Sequence, residues 1–435
     1  MTPASRTSPA PTIPTKPSLT PWLWVPSLYF AQGIPYVMVM TLSVVMYKRL
    51  DISKGEIAFY TSWLYLPWVI KPLWSPLVDI TRTKRSWVVV MQFLVSVGLG
   101  LAALALMSRV FFFGSLLLFG LIAFASATHD IAADGFYMLS LSQHEQAWWV
   151  GLRSTFYRGA MLFGSGLLVV FAGQLETRLG KIPTAWSLTL GLSAILFFAF
   201  SCWHTFVLPR PDSDCPASTG KGLGQEFFLT LKSFFEKPGI GLALAFMLLY
   251  RFDEAQLVKV ISPFLLDGRE VGGLGLTTSQ VGLAYGTVGV IALTCGGLLG
   301  GFTAAKYGLK TMLPYMVCSM YLPKLAFIFL SYVQPEHFLV CCGAVAIEQF
   351  GYGFGFTAFM LYLLYFSDGP HRTAHYAICT GFMALGMMIP GLWSGWLVEK
   401  LGYRHFFVWV LCSAVPGFIL ALRLKVDQEF GKKRG

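Results

Sequence analysis

Charge is what this sequence has least of. Asp, Glu, Lys and Arg together make up 12% of its 435 residues, about half the share carried by a soluble domain. So little charge excludes an ordinary water-exposed surface. None of the eight cysteines forms a C-x-x-C pair and most lie in or beside apolar runs, so neither structural disulfides nor zinc is expected. H-E-x-x-H, G-x-S-x-G and any acidic metal cluster are also missing, which removes the usual signs of an enzyme and of a cofactor or metal site. Residues 1–20 are rich in Pro, Ser and Thr and contain no apolar run; they read as a disordered tail rather than a signal peptide.

What remains is apolar, at 55% hydrophobic and 16% aromatic residues. Apolar runs near or above the roughly 20 residues that cross a bilayer recur along the chain. Twelve spans are expected, at 22–47, 56–80, 87–108, 111–140, 147–175, 185–208, 239–266, 278–302, 311–333, 336–366, 374–398 and 404–424. The fold class is therefore an all-α membrane protein. With both termini on the cytoplasmic side, inside segments hold 17 Lys and Arg, outside loops hold 9 and the spans hold six. Inside wins, so this orientation is preferred. The formal charge of +11 follows from the same bias and calls for no nucleic-acid partner; the basic end at 425–435 could touch anionic lipid.

The polar, Pro- and Gly-punctuated segment 209–238 divides the spans six and six, giving halves at 21–208 and 239–424. Two repeats support the division. "GQLETRLG" after span 5 and "GWLVEKLG" after span 11 share one pattern, and at the same offset of 222 residues Gly159 falls on Gly381 and Gly164 on Gly386. After spans 2 and 8, "SPLVDITRTKR" and "GFTAAKYGLK" each resemble, in degenerate form, the signature loop of the major facilitator superfamily. That resemblance implies two six-helix halves with spans 1, 4, 7 and 10 around a central cavity. It also marks Asp79, with Arg82, Lys84, Arg85, Lys306 and Lys310, as a conformational latch; the alternative is that Asp79 only caps a helix end.

The few charges within spans are the remaining signal, since an unpaired one is costly there. Asp130 and Asp134 are four apart and share a helix face. Counting outward from the turn near His144 puts Arg153 at the depth of Asp134 and Arg158 at the depth of Asp130, so two ion pairs across a hairpin are expected. Either acid, or Glu348 in span 10, could instead take the proton of a coupled carrier. Lys71, between prolines in span 2, and Arg251 in span 7 are charge partners by the same reasoning. Gln32, Tyr36, Asp253, Glu254, Lys259, Gln349 and Tyr352 are candidate substrate-binding residues for a polar, anionic or sugar-like solute.

Six strings, "LYFAQGIPY", "LPWVIKPLWSPLVD", "HDIAADGF", "GLRSTFYRGAMLFG", "LLYRFDEA" and "IEQFGYGFGFTAFMLYLL", resemble the AmpG-like muropeptide permeases. These form part of the peptide and acetyl-coenzyme A transporter branch of the same superfamily. The resemblance implies a monomeric, proton-coupled importer of anhydromuropeptides, sugar-peptides with a GlcNAc-anhydroMurNAc core, working by alternating access in a bacterial inner membrane for cell-wall recycling. Departures are present: Asp134-Gly135-Phe136 replaces the family's Asp-Ala-Tyr, Asp253-Glu254 replaces its Gly-Asp, and the extra C-terminal spans of some members are absent. Passive or coupled transport of another solute, or a ligand sensor built on a transporter fold, are the alternatives.

Overall fold

A computed structural model of the chain describes residues 20–141, 143–212, 214–216, 223–369, 372–428 and 430–431. The tail expected at 1–20 lies outside them except for Thr20, as do Lys432 to Gly435 of the basic end and part of the linker at 209–238.

The apolar runs fold as helices, which satisfy their own backbone polar groups where water is absent. Span 1 runs through Thr20–Val37, one π-helical turn at Met38–Leu42 and Ser43–Arg49. The π turn follows Pro35, which has no N–H to continue the ladder. Span 2 is broken into Lys54–Trp63 and Leu66–Thr81. Spans 3 and 4 are the unbroken helices Lys84–Ala105 and Phe111–Ser140. Span 5 passes from Gln143–Met161 through a π segment at Leu162–Leu167 to Leu168–Leu179, and Ile182–Val207 is span 6.

A linker helix, Leu223–Phe235, bends by 94° into span 7. Span 7 itself breaks at Tyr250–Arg251 into Ile240–Leu249 and Phe252–Leu266. Span 8 contains a π segment, Gly282–Gly289, span 9 a 3-10 turn, Leu322–Lys324, and span 10 is Phe338–Phe366. Spans 11 and 12 are nearly continuous from Arg372 to Ser413, parted where Gly402 takes φ 70° and ψ 165°.

Nine described helices are long and apolar enough to cross a membrane, or ten when the bent pair reaching Leu266 counts as one. Span 2 is not among them because it is broken into helices of 10 and 16 residues. Spans 11 and 12 count once because their helix is parted only at Gly402, so the expected twelve are met in part. Outward-facing residues are large and apolar, among them Leu104, Phe206 and Leu339 at 70%, 85% and 78% exposure. A surface of that kind is solvated by lipid. The chain is a multi-pass membrane protein.

The repeat read from the glycines has a structural counterpart. Gly180 and Gly402 hold the same place after spans 5 and 11, both with left-handed φ of 63° and 70°, which glycine adopts without steric cost. Within those spans, a Cβ on Gly173 would strike Ser279 of span 8, and one on Gly395 would strike the Lys54 carbonyl of span 2. Small residues thus let span 5 lie against span 8 and span 11 against span 2. These two crossings form the seam between the halves.

Candidate functional site

At the end of the bundle away from the described chain termini, the seam is tied by three acids. Asp267, just past span 7, receives Lys48 at 2.5 Å, Lys54 at 2.9 Å and the Tyr403 hydroxyl at 2.6 Å. Glu176 of span 5 accepts from Arg49 at 3.1 Å, from the Trp186 indole at 2.7 Å and across the seam from Thr278 at 2.7 Å. Glu399 of span 11 accepts from the Gly55 backbone N–H at 2.8 Å. Lysines 48 and 54 belong to the first half and Asp267 to the second, so closure of this end is an electrostatic contact between halves. Burial raises the Asp267 carboxyl, but hydrogen bonds from Lys48, Tyr403 and Lys54 outweigh it and hold the group below its usual range.

Deeper in the seam, Lys259 of span 7 is 2% exposed and donates to Thr61 Oγ1 of span 2 at 2.8 Å, with its ammonium 5.3 Å from the Tyr65 ring centre. Among the described residues no carboxylate comes within ion-pair distance of it. Lys259 is therefore part of the closure between halves.

Asp134 and Arg153 meet as expected, though at 3.5 Å the pair is loose. Tyr29 of span 1 tightens it: its hydroxyl donates to Asp134 at 3.2 Å and accepts from Arg153 at 2.9 Å. The guanidinium also lies over the Tyr29 and Tyr137 rings at 5.1 and 4.9 Å. The second expected pair does not form. Asp130 accepts from the Trp68 indole at 3.2 Å and lies 3.8 Å from Lys71, both on span 2, whereas Arg158 points at Gly297 of span 8. Depth was matched but azimuth was not: five residues turn a helix by about 140°, so Arg153 and Arg158 cannot face the same neighbour. His129, next to Asp130, joins a buried chain through Gln92 at 2.9 Å to His204 at 2.8 Å and Ser27 at 3.0 Å, which ties span 4 to spans 3, 6 and 1.

In the second half, Asp253 and Glu254 converge on Lys324 of span 9. Lys324 donates to Asp253 and lies 3.3 Å from Glu254, all three side chains being at most 3% exposed. Glu348 of span 10 is also buried, within electrostatic reach of Lys324, Glu254 and Asp253. One of its oxygens accepts from Gln349 at 2.8 Å and the other has no partner. Three carboxyl groups thus face one ammonium, with the Arg251 guanidinium within electrostatic reach of Glu254 only, an excess of negative charge that a buried site does not tolerate fully ionised. Lys324 is a candidate residue that the sequence reading does not single out, as are the seam acids Asp267, Glu176 and Glu399.

Arg251 sits at the break in span 7, donating to the Tyr352 hydroxyl and lying 4.8 Å from the Phe356 ring centre. Tyr36 and Tyr65, from spans 1 and 2, face it across the seam. Gln32, one turn before Tyr36, is buried beside Asp130 with its carbonyl oxygen unpartnered. Arg251, Tyr36, Tyr352 and Asp130 keep partial exposure although they lie inside the bundle. Both halves therefore line one polar interior space.

The expected latch residues are placed differently from one another. The Lys84 and Arg85 backbone N–H groups hold Asp214 of the linker at 2.7 and 3.0 Å, and the Arg85 side chain donates to the Leu208 carbonyl at 3.2 Å. Lys306 lies over the ring of its neighbour Tyr307 at 5.1 Å, and Arg82 and Lys310 are exposed. The side chain of Asp79 lies outside the described residues.

Comparison with known proteins gives consistent results. A profile of the BT1 family matches residues 32–346. The anhydromuropeptide permease of Escherichia coli is 26% identical over 412 residues, covering 93% of this chain and 79% of that protein. A putative transporter, AmpG 4 of Rickettsia conorii, is 24% identical, covering 91% and 94%. Among solved structures, a D-xylose–proton symporter superposes with a TM-score of 0.71 at 13% identity, over 96% of this chain and 99% of that one. A nucleoside transporter gives 0.66 at 14% identity, over 93% and 100%. At such identities the likeness establishes the fold alone, and that fold is the two-halved major facilitator arrangement.

Proposed function

Because the chain belongs to the BT1 family, we propose that it imports anhydromuropeptides, GlcNAc-anhydroMurNAc and its peptides, across a bacterial inner membrane by alternating access of its two halves. Similarity to the Escherichia coli anhydromuropeptide permease over 93% of the chain is the observation that carries the substrate. Geometry supports the cycle. Cross-half bonds gather at the end away from the termini, and with both termini cytoplasmic the captured state faces inward. Parting those bonds while the opposite end closes would present the same interior residues to the other side.

Coupling to protons is part of the proposal. The Asp253, Glu254, Glu348 and Lys324 cluster supports it, because its surplus of carboxyl groups needs a proton whenever it is sealed from water. Glu348, with one unpartnered oxygen, is the foremost site; Asp130, held by Trp68, Gln32 and a distant Lys71, is the second, and Asp134 the third. The working unit is the monomer, since each half supplies the other's seam.

The deciding experiment is uptake of labelled GlcNAc-anhydroMurNAc-tripeptide by proteoliposomes, with and without an inward proton gradient. Accumulation driven by the gradient is expected. Uptake that only equilibrates removes the coupling, and no uptake removes the substrate while leaving the fold in place.

A further inference from the structure

Arg251 is the interior cation of span 7 best placed to meet something outside the protein. It occupies the break between Ile240–Leu249 and Phe252–Leu266, with φ −113° and ψ 19°, so its side chain leaves the chain at a point where the helix has no regular face. The acids nearest in sequence, Asp253 and Glu254, are ion-paired to Lys324, and Glu254 acts on Arg251 only through space. Among the described residues no carboxylate lies within ion-pair distance of Arg251. Of its five N–H groups one goes to the Tyr352 hydroxyl, and Nε is buried with no partner.

The rest of its surroundings are aromatic. Tyr352 and Phe356, stacked on one another on span 10, meet the guanidinium from one side at 5.5 and 4.8 Å, and Tyr36 and Tyr65 approach from the other half. Rings so placed hold a guanidinium without neutralising it. Such a group presents a planar fork that matches a carboxylate, in a place both halves can reach. Gln32, with its carbonyl oxygen also unpartnered, stands one helical turn from Tyr36 on the same face.

We propose that Arg251, resting against the stacked Tyr352 and Phe356 rings at the seam of the two halves, is the anchor for a carboxylate of the transported solute. This rests on the transport reading and deepens it: the solute must carry a free carboxylate at the end that enters first contact with span 7. Peptide-free GlcNAc-anhydroMurNAc has a single carboxylate, on its lactyl group, and the lactyl amide has none. The two compounds therefore isolate the contact.

The test is binding to the full-length protein in detergent, read as a ligand-dependent rise in Tm, for the acid and for the amide, with the parent chain, Arg251→Met and Arg251→Lys. The parent should prefer the acid by roughly 10- to 100-fold in Kd. Arg251→Met should bind acid and amide alike, and Arg251→Lys, which keeps the charge but loses the fork, should fall between. Should Arg251→Met fail to fold, the ratio in Arg251→Lys decides: a ratio as large as the parent's overturns the proposal. A parent that binds acid and amide equally, or a preference that survives Arg251→Met, overturns it while leaving transport intact. If neither compound binds at all, the muropeptide reading fails, and gluconate and N-acetylglutamate replace them as probes. Protection of the parent but not of Arg251→Met then upholds the anchor, and equal responses overturn it.

Discussion

Lys259 reaches from one half of the protein to the other, donating to Thr61 Oγ1 at 2.8 Å with no carboxylate beside it among the described residues. A buried ammonium with one neutral partner costs more in desolvation than the bond returns. Replacing it with an apolar side chain of similar length should therefore favour the conformation described here. For Lys259→Met we expect Tm in detergent to rise and the rate of uptake to fall, because the closed end opens less often. A fall in Tm would show that the bond to Thr61 outweighs the burial.

Asp130 and Lys71 should be energetically coupled, and Asp130 and Arg158 should not. In double-mutant cycles on unfolding, Asp130→Asn with Lys71→Met is expected to depart from additivity by about 0.5 kcal/mol or more, as contacting pairs do. Asp130→Asn with Arg158→Met should be additive to within about 0.5 kcal/mol. Coupling to Arg158 of the size expected for Lys71 would contradict the placement of Arg158 against Gly297 of span 8.

Within the second-half cluster, losing the cation and losing one acid should differ sharply. Lys324→Met leaves Asp253 and Glu254 buried without their partner and should cost on the order of 3–5 kcal/mol, visible as poor yield or a large drop in Tm. Glu348→Gln keeps the shape and the contact with Gln349 and should fold. Its uptake should no longer respond to an imposed proton gradient, while exchange of labelled for unlabelled solute continues. Retained gradient response would move the protonation site to Asp130 or Asp134.

Closure by Asp267 should be insensitive to pH across the physiological range. Its carboxyl is held below the usual value by Lys48, Tyr403 and Lys54 against the opposing effect of burial. The contribution is thus complete above the unfolded value of about 4 and is lost only as pH falls through the lower folded one. Asp267→Asn should open this end at every pH across that range. A cysteine placed at the buried Ser62 position, in a chain lacking its eight native cysteines, should then react faster with a membrane-impermeant thiol reagent. Equal rates with and without the Asp267→Asn change would mean that the other ties suffice.

The parts of this architecture that repeat locally are legible in the sequence. Span 4, expected at 111–140, is the helix Phe111–Ser140, because apolar length in a bilayer leaves little choice. The glycine repeat points to the crossings at Gly173 and Gly395, because only a missing side chain lets two helices touch. Partners across distant spans are not legible. Lys324 is visible as a lone charge in span 9, yet nothing along the chain says that it meets Asp253, 71 residues away. Depth alone assigns Arg158 to Asp130, while rotation about the helix axis decides what a side chain faces. Asp267, Glu176 and Glu399 read as ordinary charges at the ends of spans until the fold brings them to one end.

The linker, finally, is shared unequally. Asp214 is bound by the backbone of Lys84 and Arg85 in the first half, while Ser233 bonds His375, and Lys237 donates to the Phe366 and Asp368 carbonyls in the second. Asp214 thus travels with the first half and Ser233 and Lys237 with the second, so the division falls between Asp214 and Ser233. A gene cut at that point and expressed as two polypeptides should still assemble a working carrier, held together by the seam alone.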